Sequence, residues 1–309
     1  MAINNKKLKG FKSMYLTGLA DEAATDIDGQ IRVTQKLGWK YIEARNVDGK
    51  NICDLTEDEF KLVCTKLEKS NIKINCVASA IANWEKEVTD PFEITIKEVQ
   101  RAIPRMQRLG TKLVRIMSYA ILRDNKGMVL KNQMEKERFR RLNEICRMFI
   151  EAGITPVHEN CMNYGGMGWT YTLKLLENVP GLRLVFDIGN PPLADDFTKD
   201  YPYPKQSAWE FYSHIKEHII YVHIKDSYFD KKTNKEKYTF PGEGQANLKK
   251  ILKDLFESGY NGGFSIEPHM AVVFHDKSVH SESKYRFNNY LEYGRRVTKL
   301  LKDIGYSLE

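Results

Sequence analysis

Four phrases decide how this chain folds: ITPVHE (154–159), LRLVFD (182–187), IIYVHI (219–224) and GGFSIE (262–267). Each is a short apolar run, rich in β-branched and aromatic residues, and reads as a strand. Each carries at or beside its end a residue that apolar strands rarely hold: Glu159, Asp187, His223 and Glu267. An uncompensated charge in such a setting is costly. Period-two alternation separates two faces. Tyr221, His223 and Lys225 share one side of the third run, Val222 and Ile224 the other. Asp187 opposes Leu184 and Phe186, and Ser265 and Glu267 oppose Phe264 and Ile266. The apolar side is expected to pack on helices, the polar side to face a common lumen.

Working upstream, the same grammar predicts strands at 14–18 (MYLTG), 40–44 (KYIEA), 72–78 (IKINCVA) and 112–117 (KLVRIM). Helical periodicity fills the gaps, at 25–37, 56–69, 92–109, 132–152, 169–178, 206–217, 245–258 and 285–304. Thr56-Glu57-Asp58-Glu59 reads as an N-cap followed by an acidic first turn. Gly38, Gly110, Gly153, Gly181 and Gly259 stand where helices should end before the next strand. Strict alternation implies parallel strands with right-handed crossovers. Eight such units favour an α/β fold of one closed (β/α)8 TIM barrel. The rival, an open doubly wound sheet, lacks a G-x-G-x-x-G after its first strand. No Pro-, Gly- or Ser-rich linker divides the chain, so residues 1–309 read as a single TIM-barrel domain.

Composition narrows the function classes. With 42% hydrophobic and 29% charged residues the chain is globular. It has no run of eighteen apolar residues, and MAINNKKLKGFK is not followed by an apolar segment, so neither a membrane span nor a secretory signal is expected. Cys53, Cys64, Cys76, Cys146 and Cys161 are scattered singly, which does not suit a disulfide framework and points to a cytoplasmic protein. The net charge of +7 lies largely on presumed helix faces, where Arg138, Arg140, Arg141 and Arg147 alternate with Glu135, Glu137 and Glu144. That is a solvated mixed-sign surface rather than a nucleic-acid patch.

In a barrel, neighbouring parallel strands bring Glu159, Asp187, His223 and Glu267 around one side of the C-terminal mouth, where active sites are built. Three carboxylates and an imidazole converging there form a ligand set for a divalent cation. One such residue alone would read as a salt-bridge or core partner; four in register on consecutive strands argue for a metal.

The phrases PVHEN (156–160), FDIGN (186–190), VHIKD (222–226), PGEG (241–244) and SGYNGGFSIEPH (258–269) carry a further signal. Through them nearly the whole chain resembles the sugar-phosphate isomerase/epimerase superfamily of xylose isomerase-like barrels. The nearest branches are the ketose 3-epimerases, hydroxypyruvate isomerases and inosose dehydratases. The resemblance implies that the four residues bind a metal, Mn²⁺ foremost and Mg²⁺, Co²⁺ or Zn²⁺ otherwise. It also implies that Glu159 and Glu267 double as the catalytic acid/base pair, that the substrate is a sugar, and that homo-oligomers form. The implied activity is isomerisation or epimerisation of a ketose or related hydroxycarbonyl through a metal-stabilised enediolate. One carboxylate would remove the α-proton and the other return it.

Departures from the family pattern are visible. Asn190 stands where many members carry His, and Phe229 replaces an Arg that contacts substrate in ketose 3-epimerases. Lys225 and Asp226 resemble the hydroxypyruvate isomerase and inosose dehydratase branches instead. Asn160, Asn190 and Lys225 are thus candidate substrate contacts. Glu43, ending strand two, is a candidate for a sugar hydroxyl or for pairing with Arg45 or Arg115. Trp84 and Trp169 are candidates to cover a sugar ring. His158 alternates toward the helices and is not counted as a ligand. His269, His275 and His280 suggest a histidine-bearing lid more than a second metal site, and the Lys-rich 231–237 a solvated loop tip. PGEG reads as a tight turn rather than a phosphate cradle. The alternative chemistry is a lyase on an oxo-sugar, of inosose-dehydratase or C-glycoside-cleaving type. An endonuclease IV-like nuclease lacks the strand-end histidines it needs, and a non-catalytic sugar-binding barrel does not explain two glutamates.

Overall fold

The computed structural model describes residues 14–276, 279 and 281–307. Eight parallel strands form its centre: β1 (Tyr15–Gly18), β2 (Tyr41–Ala44), β3 (Lys73–Ala78), β4 (Leu113–Ile116), β5 (Thr155–Glu159), β6 (Arg183–Asp187), β7 (Ile219–Ile224) and β8 (Gly263–Ile266). From β2 to β8 each strand pairs with its sequence neighbour, and β8 pairs with β1. A parallel bridge between Leu19 and Glu43 brings β1 and β2 together, so the sheet is a nearly closed barrel. The eight helices are α1 (Ile27–Lys36), α2 (Glu57–Ser70), α3 (Phe92–Leu109), α4 (Glu135–Glu151), α5 (Trp169–Asn178), α6 (Ala208–Ile215), α7 (Leu248–Glu257) and α8 (Ser283–Ile304). Among the described residues no helix is long and apolar enough to cross a membrane.

Local sequence explains the elements. Thr56 and Glu59 form a reciprocal capping box that starts α2. In α7 the buried residues are Leu248, Ile251, Leu252 and Leu255, the spacing of one helical face. Gly110 ends α3 at φ 68°, where a side chain would be strained.

Alternation sorts the strands into two cores. Leu184, Phe186, Val222, Ile224, Phe264 and Ile266 pack outward in the large cluster shared with the helices. Cys76, Leu113, Val157, Val185 and Tyr221 fill the lumen as a separate small cluster. This inner plug is the floor on which the polar strand ends stand.

The loops differ from expectation in one place. The segment around the Lys-rich stretch 231–237, expected to be a solvated loop tip, forms an antiparallel hairpin, Asp226–Asp230 with Lys235–Thr239. Its return strand alternates Glu236 and Tyr238 with Lys235 and Lys237, so half its side chains turn inward. The run of lysines hid this period-two pattern.

Candidate active site

The register of β6, β7 and β8 sets the geometry. Asp187 and Ser265 both pair with His223, and Glu267 extends β8 by donating its backbone N–H to Ile224 O at 3.1 Å. Glu159, Asp187, His223 and Glu267, all buried, thereby offer ligand atoms within 4.8 Å of one another.

Each ligand is held by chemistry visible in the motifs. Asp187 Oδ1 accepts the backbone N–H groups of Gly189 at 2.8 Å and Asn190 at 3.1 Å, a side-chain turn that leaves Oδ2 facing inward. A Cβ on Gly189 would lie 2.6 Å from Lys225 Cγ, so FDIGN needs its glycine for close approach to β7. Asp226 accepts from Gly242 N at 2.7 Å and Gly244 N at 3.1 Å, which ties VHIKD to PGEG. PGEG is therefore a turn closed by a carboxylate, and a phosphate there would meet like charge.

The two glutamates are built alike. Glu159 Oε2 pairs with Arg115 at 2.8 Å while its Oε1 lies 3.8 Å from His223 Nδ1. Glu267 Oε1 pairs with Arg45 at 2.9 Å while its Oε2 lies 3.7 Å from the same nitrogen. Burial opposes ionisation of both. Arg115 and His223 nevertheless hold Glu159 down to about 2, and Lys225, His269 and Arg45 hold Glu267 well below its usual range. Asp187 has no guanidinium; burial and the repulsion of Glu267 and Glu159 push it up to about 7, against the pull of Lys225.

These residues fit a divalent cation. His223 Nδ1 is buried without a hydrogen-bond partner, and three carboxylate oxygens stand 3.7, 3.8 and 3.9 Å away, from Glu267, Glu159 and Asp187. That is too long for hydrogen bonds. It suits ligands that each lie roughly 2.0–2.2 Å from one ion. Charge agrees: in the ion-pair network around the centre the carboxylates Asp21, Glu22, Glu43, Glu159, Asp187 and Glu267 outnumber the fixed cations Arg45, Arg115 and Lys225. Glu22, Glu267 and His269 also converge. There, however, Arg45 ion-pairs with both glutamates, so a guanidinium already serves as the cation.

Several residues have roles other than those expected. Glu43 does not face the pocket; it accepts from His223 Nε2 at 3.0 Å and from the Tyr221 hydroxyl at 2.7 Å. Asn160 is corrected too, because both ends of its amide bond the Asp187 backbone, at 3.0 and 2.8 Å. Trp169 stacks on His214 with ring centroids 3.7 Å apart, away from the pocket. His158 faces Ser118 and Asn163 at 3.0 Å each, as its alternation implied. Phe229 lies under the Lys205 ammonium. His280 lies outside the described residues.

Asn190, Lys225 and Trp84 do line the cavity above the centre, which has a volume of about 290 Å³. Lys225 Nζ lies 2.8 Å from Asp187 Oδ2 and 3.0 Å from Glu267 Oε2, and Asn190 Nδ2 lies 3.3 Å from Glu159 Oε1. The sequence reading missed Arg45 and Arg115 as pocket residues. Arg115, inside the apolar run KLVRIM, carried the same signal that singled out Glu159. It also missed Glu236 and Tyr238 of the hairpin, whose Tyr238 hydroxyl donates to Glu236 at 2.6 Å.

Comparison with known proteins agrees with this architecture. No curated protein matches the sequence. The fold resembles D-psicose 3-epimerase from Clostridium cellulolyticum H10, solved with D-tagatose, at 14% identity over 93% of this chain and 99% of that one, TM-score 0.66. It resembles the probable 3-DHS dehydratase AsbF from Bacillus anthracis at 15% identity, covering 92% and 98%, TM-score 0.64. It also resembles a xylose isomerase-like TIM barrel protein from Mycobacterium smegmatis in complex with magnesium, at 16% identity, covering 94% and 97%, TM-score 0.64. At such identities the likeness speaks for the fold alone. The family profile, in contrast, matches the sequence itself over residues 31–286. The chain belongs to the xylose isomerase-like TIM barrel family.

Proposed function

We propose that this barrel is a divalent-metal-dependent isomerase or epimerase acting on a ketose or related hydroxycarbonyl compound. One observation carries the reading: Glu159 and Glu267 each turn one oxygen inward, 3.8 and 3.7 Å from His223 Nδ1, while an arginine neutralises the other. Both glutamates line the cavity, so with the inward oxygens on the cation the arginine-paired oxygens would be the ones that take and return a proton. One carboxylate takes the proton from the carbon beside the carbonyl, and the second delivers a proton to the other face or to the adjacent carbon. Glu159, Asp187, His223 and Glu267 would hold the divalent cation, Mn²⁺ in our reading, and it would supply Lewis-acid polarisation of a substrate carbonyl. Lys225, between Asp187 and Glu267, places a positive charge beside the oxygen that becomes anionic. Asn190 donates to Glu159 and holds it in place.

That structural relatives include a 3-epimerase solved with D-tagatose and a magnesium complex supports the substrate class and the metal. A probable dehydratase among them favours a second outcome, elimination after the same first step. The test is hydron exchange in D₂O. Metal-loaded protein is incubated with a panel of ketoses, and deuterium at carbons next to the carbonyl is read by mass spectrometry. Glu159→Gln and Glu267→Gln should keep the fold and slow exchange at least about a hundredfold. Unimpaired exchange in both variants excludes the pair as the bases, and a dehydrated product selects elimination.

A further inference from the structure

The cavity above the centre has no cation to spare. Of those that line it, Arg115 pairs with Glu159, Arg45 with Asp21, Glu22 and Glu267, and Lys225 with Asp187 and Glu267. Its two histidines also meet carboxylates, His269 at Glu22 (2.8 Å) and His275 at Glu236 (3.1 Å). Glu85, on the same wall, joins no ion pair among the described residues. Around the floor, the excess of carboxylates over fixed cations is larger than one divalent ion cancels. The wall is therefore set against a second anion and open to hydroxyl donors.

Glu236 is the built member of this wall. It lies on the return strand of the hairpin and reaches the cavity together with Tyr238. Its Oε2 accepts from the Tyr238 hydroxyl at 2.6 Å and meets His275 Nε2 at 3.1 Å. Oε1 has no partner among the described residues. Burial opposes ionisation of Glu236, but His275 and Tyr238 hold it down to about 2, so at neutral pH it is a carboxylate. A run of contacts fixes where it stands. The Tyr238 ring lies 5.3 Å from the His269 ring, whose Nε2 lies 3.9 Å from Glu267 Oε1. Glu236 is thus two side chains out from Glu267 along one wall of the cavity. A substrate that reacts beside Glu267 and extends along that wall brings its far end to a carboxylate with one oxygen unused.

Resting on the function proposed above, we infer that Glu236 determines specificity: its free oxygen accepts hydrogen bonds from hydroxyls at the substrate end remote from the metal, and repels a phosphate or carboxylate placed there. The substrate is then a hydroxycarbonyl compound long enough to carry hydroxyls beyond its reacting carbons, and uncharged at that end. One side chain supplies both the attraction and the exclusion.

Hydron exchange in D₂O by the Mn²⁺-loaded protein tests this with D-fructose, D-tagatose, their 6-phosphates and dihydroxyacetone. All carry a hydroxyl beside a ketone, but the hexoses end in a hydroxyl, the esters in a phosphate, and dihydroxyacetone has no far end. For the better of the two hexoses kcat/KM should exceed that of its 6-phosphate and of dihydroxyacetone by at least about tenfold, the scale of a hydrogen bond to a charged oxygen. Glu236→Ala should raise KM for that hexose about tenfold with kcat little changed, and leave dihydroxyacetone within about twofold. Glu236→Lys should reverse the order of the hexose and its 6-phosphate. Equal losses on hexose and dihydroxyacetone in Glu236→Ala, or a 6-phosphate used as well as the hexose by the unmodified protein, overturn the inference. Dihydroxyacetone separates the two readings. If it exchanges, and needs Glu267 to do so, while these preferences are absent, only the role of Glu236 falls. If nothing exchanges, the isomerase reading falls, and calorimetric titration with the same hexoses and esters decides the subsite. Tighter hexose binding that Glu236→Ala weakens upholds it, and equal, reversed or unsaturable binding overturns it.

Discussion

Glu43 Oε2 lies 3.0 Å from His223 Nε2, so the imidazole presents its other nitrogen, Nδ1, to the three carboxylates of the centre. The contact ends a chain of hydrogen bonds rising through the lumen. Thr17 donates to Asn75 at 2.8 Å, Asn75 to the Tyr221 oxygen at 3.0 Å, and Tyr221 to Glu43 at 2.7 Å. Every donor in the chain points toward Glu43, which fixes its carboxylate as an acceptor and the His223 ring as an Nε2–H tautomer.

The first prediction follows. Glu43→Gln keeps the shape of this support but removes its charge, so Mn²⁺ affinity should fall roughly 10–100-fold with little change in fold. Metal titration followed by calorimetry reads the change. Affinity within a factor of two of the unmodified protein would show that Glu43 does not tune the centre.

Why the position of Glu159 was legible in the sequence, and that of Glu43 was not, is physical. Strand order and alternation set which face a side chain occupies, and both are written locally as hydrophobic period. Thus Glu159, Asp187, His223 and Glu267 could be placed around one mouth from the sequence. Depth within the lumen depends on strand stagger. The β2–β3 pair shifts register between Ile42 and Glu43, which no local pattern announces. Glu43 therefore lies under the histidine rather than above it. Asn160 fails for a related reason: its motif position was visible, but its partner, the Asp187 backbone, is 27 residues away. Arg45 and Arg115 needed the pairing of β2, β4, β5 and β8 ends in space before their charges had a meaning.

Arg115 supports a second prediction. It is buried against Glu159, and removing one member of a buried pair leaves the other uncompensated. Arg115→Met should destabilise the metal-free protein by about 3–5 kcal/mol in urea unfolding. Adding Mn²⁺ should recover more stability in the variant than in the unmodified chain, because the centre has become more negative. Equal recovery in the two proteins would disconnect Arg115 from the charge balance of the site.

Metal itself should stabilise the fold. The excess of buried carboxylates over cations around the centre is relieved by a divalent ion that the unfolded chain does not bind. At a free concentration a hundred times its dissociation constant, an ion bound only by the native state adds about 2.7 kcal/mol. For a chain of this length that corresponds to a rise of a few degrees in Tm. Thermal melts with EDTA and with Mn²⁺ measure it, and superimposable melts would count against the four residues as a cation site.

The last prediction concerns acid stability and His158. Buried on the helix side of β5, its Nε2 meets Ser118 and Asn163 while Nδ1 has no partner. Burial lowers it from 6.5 to about 4, only partly offset by Asn163 and Glu159. The native state thus resists a proton that the unfolded chain accepts. Above 6.5 neither state is protonated there and His158 makes no pH-dependent contribution. As pH falls from 6.5 toward 4 the unfolded chain alone gains the proton, and stability is lost across that window. Below about 4 both states are protonated and the loss levels off. The span from 6.5 to about 4, at roughly 1.4 kcal/mol per pH unit, amounts to about 3 kcal/mol. In urea unfolding in EDTA between pH 7 and 4 metal release contributes nothing, but Asp187, pushed up to about 7, adds an opposite slope, so the His158 loss is read as the difference between the unmodified protein and His158→Gln. The variant should lack that loss, since the amide can still reach Ser118 and carries no titrating group. An unchanged slope in the variant would assign the acid sensitivity to other groups.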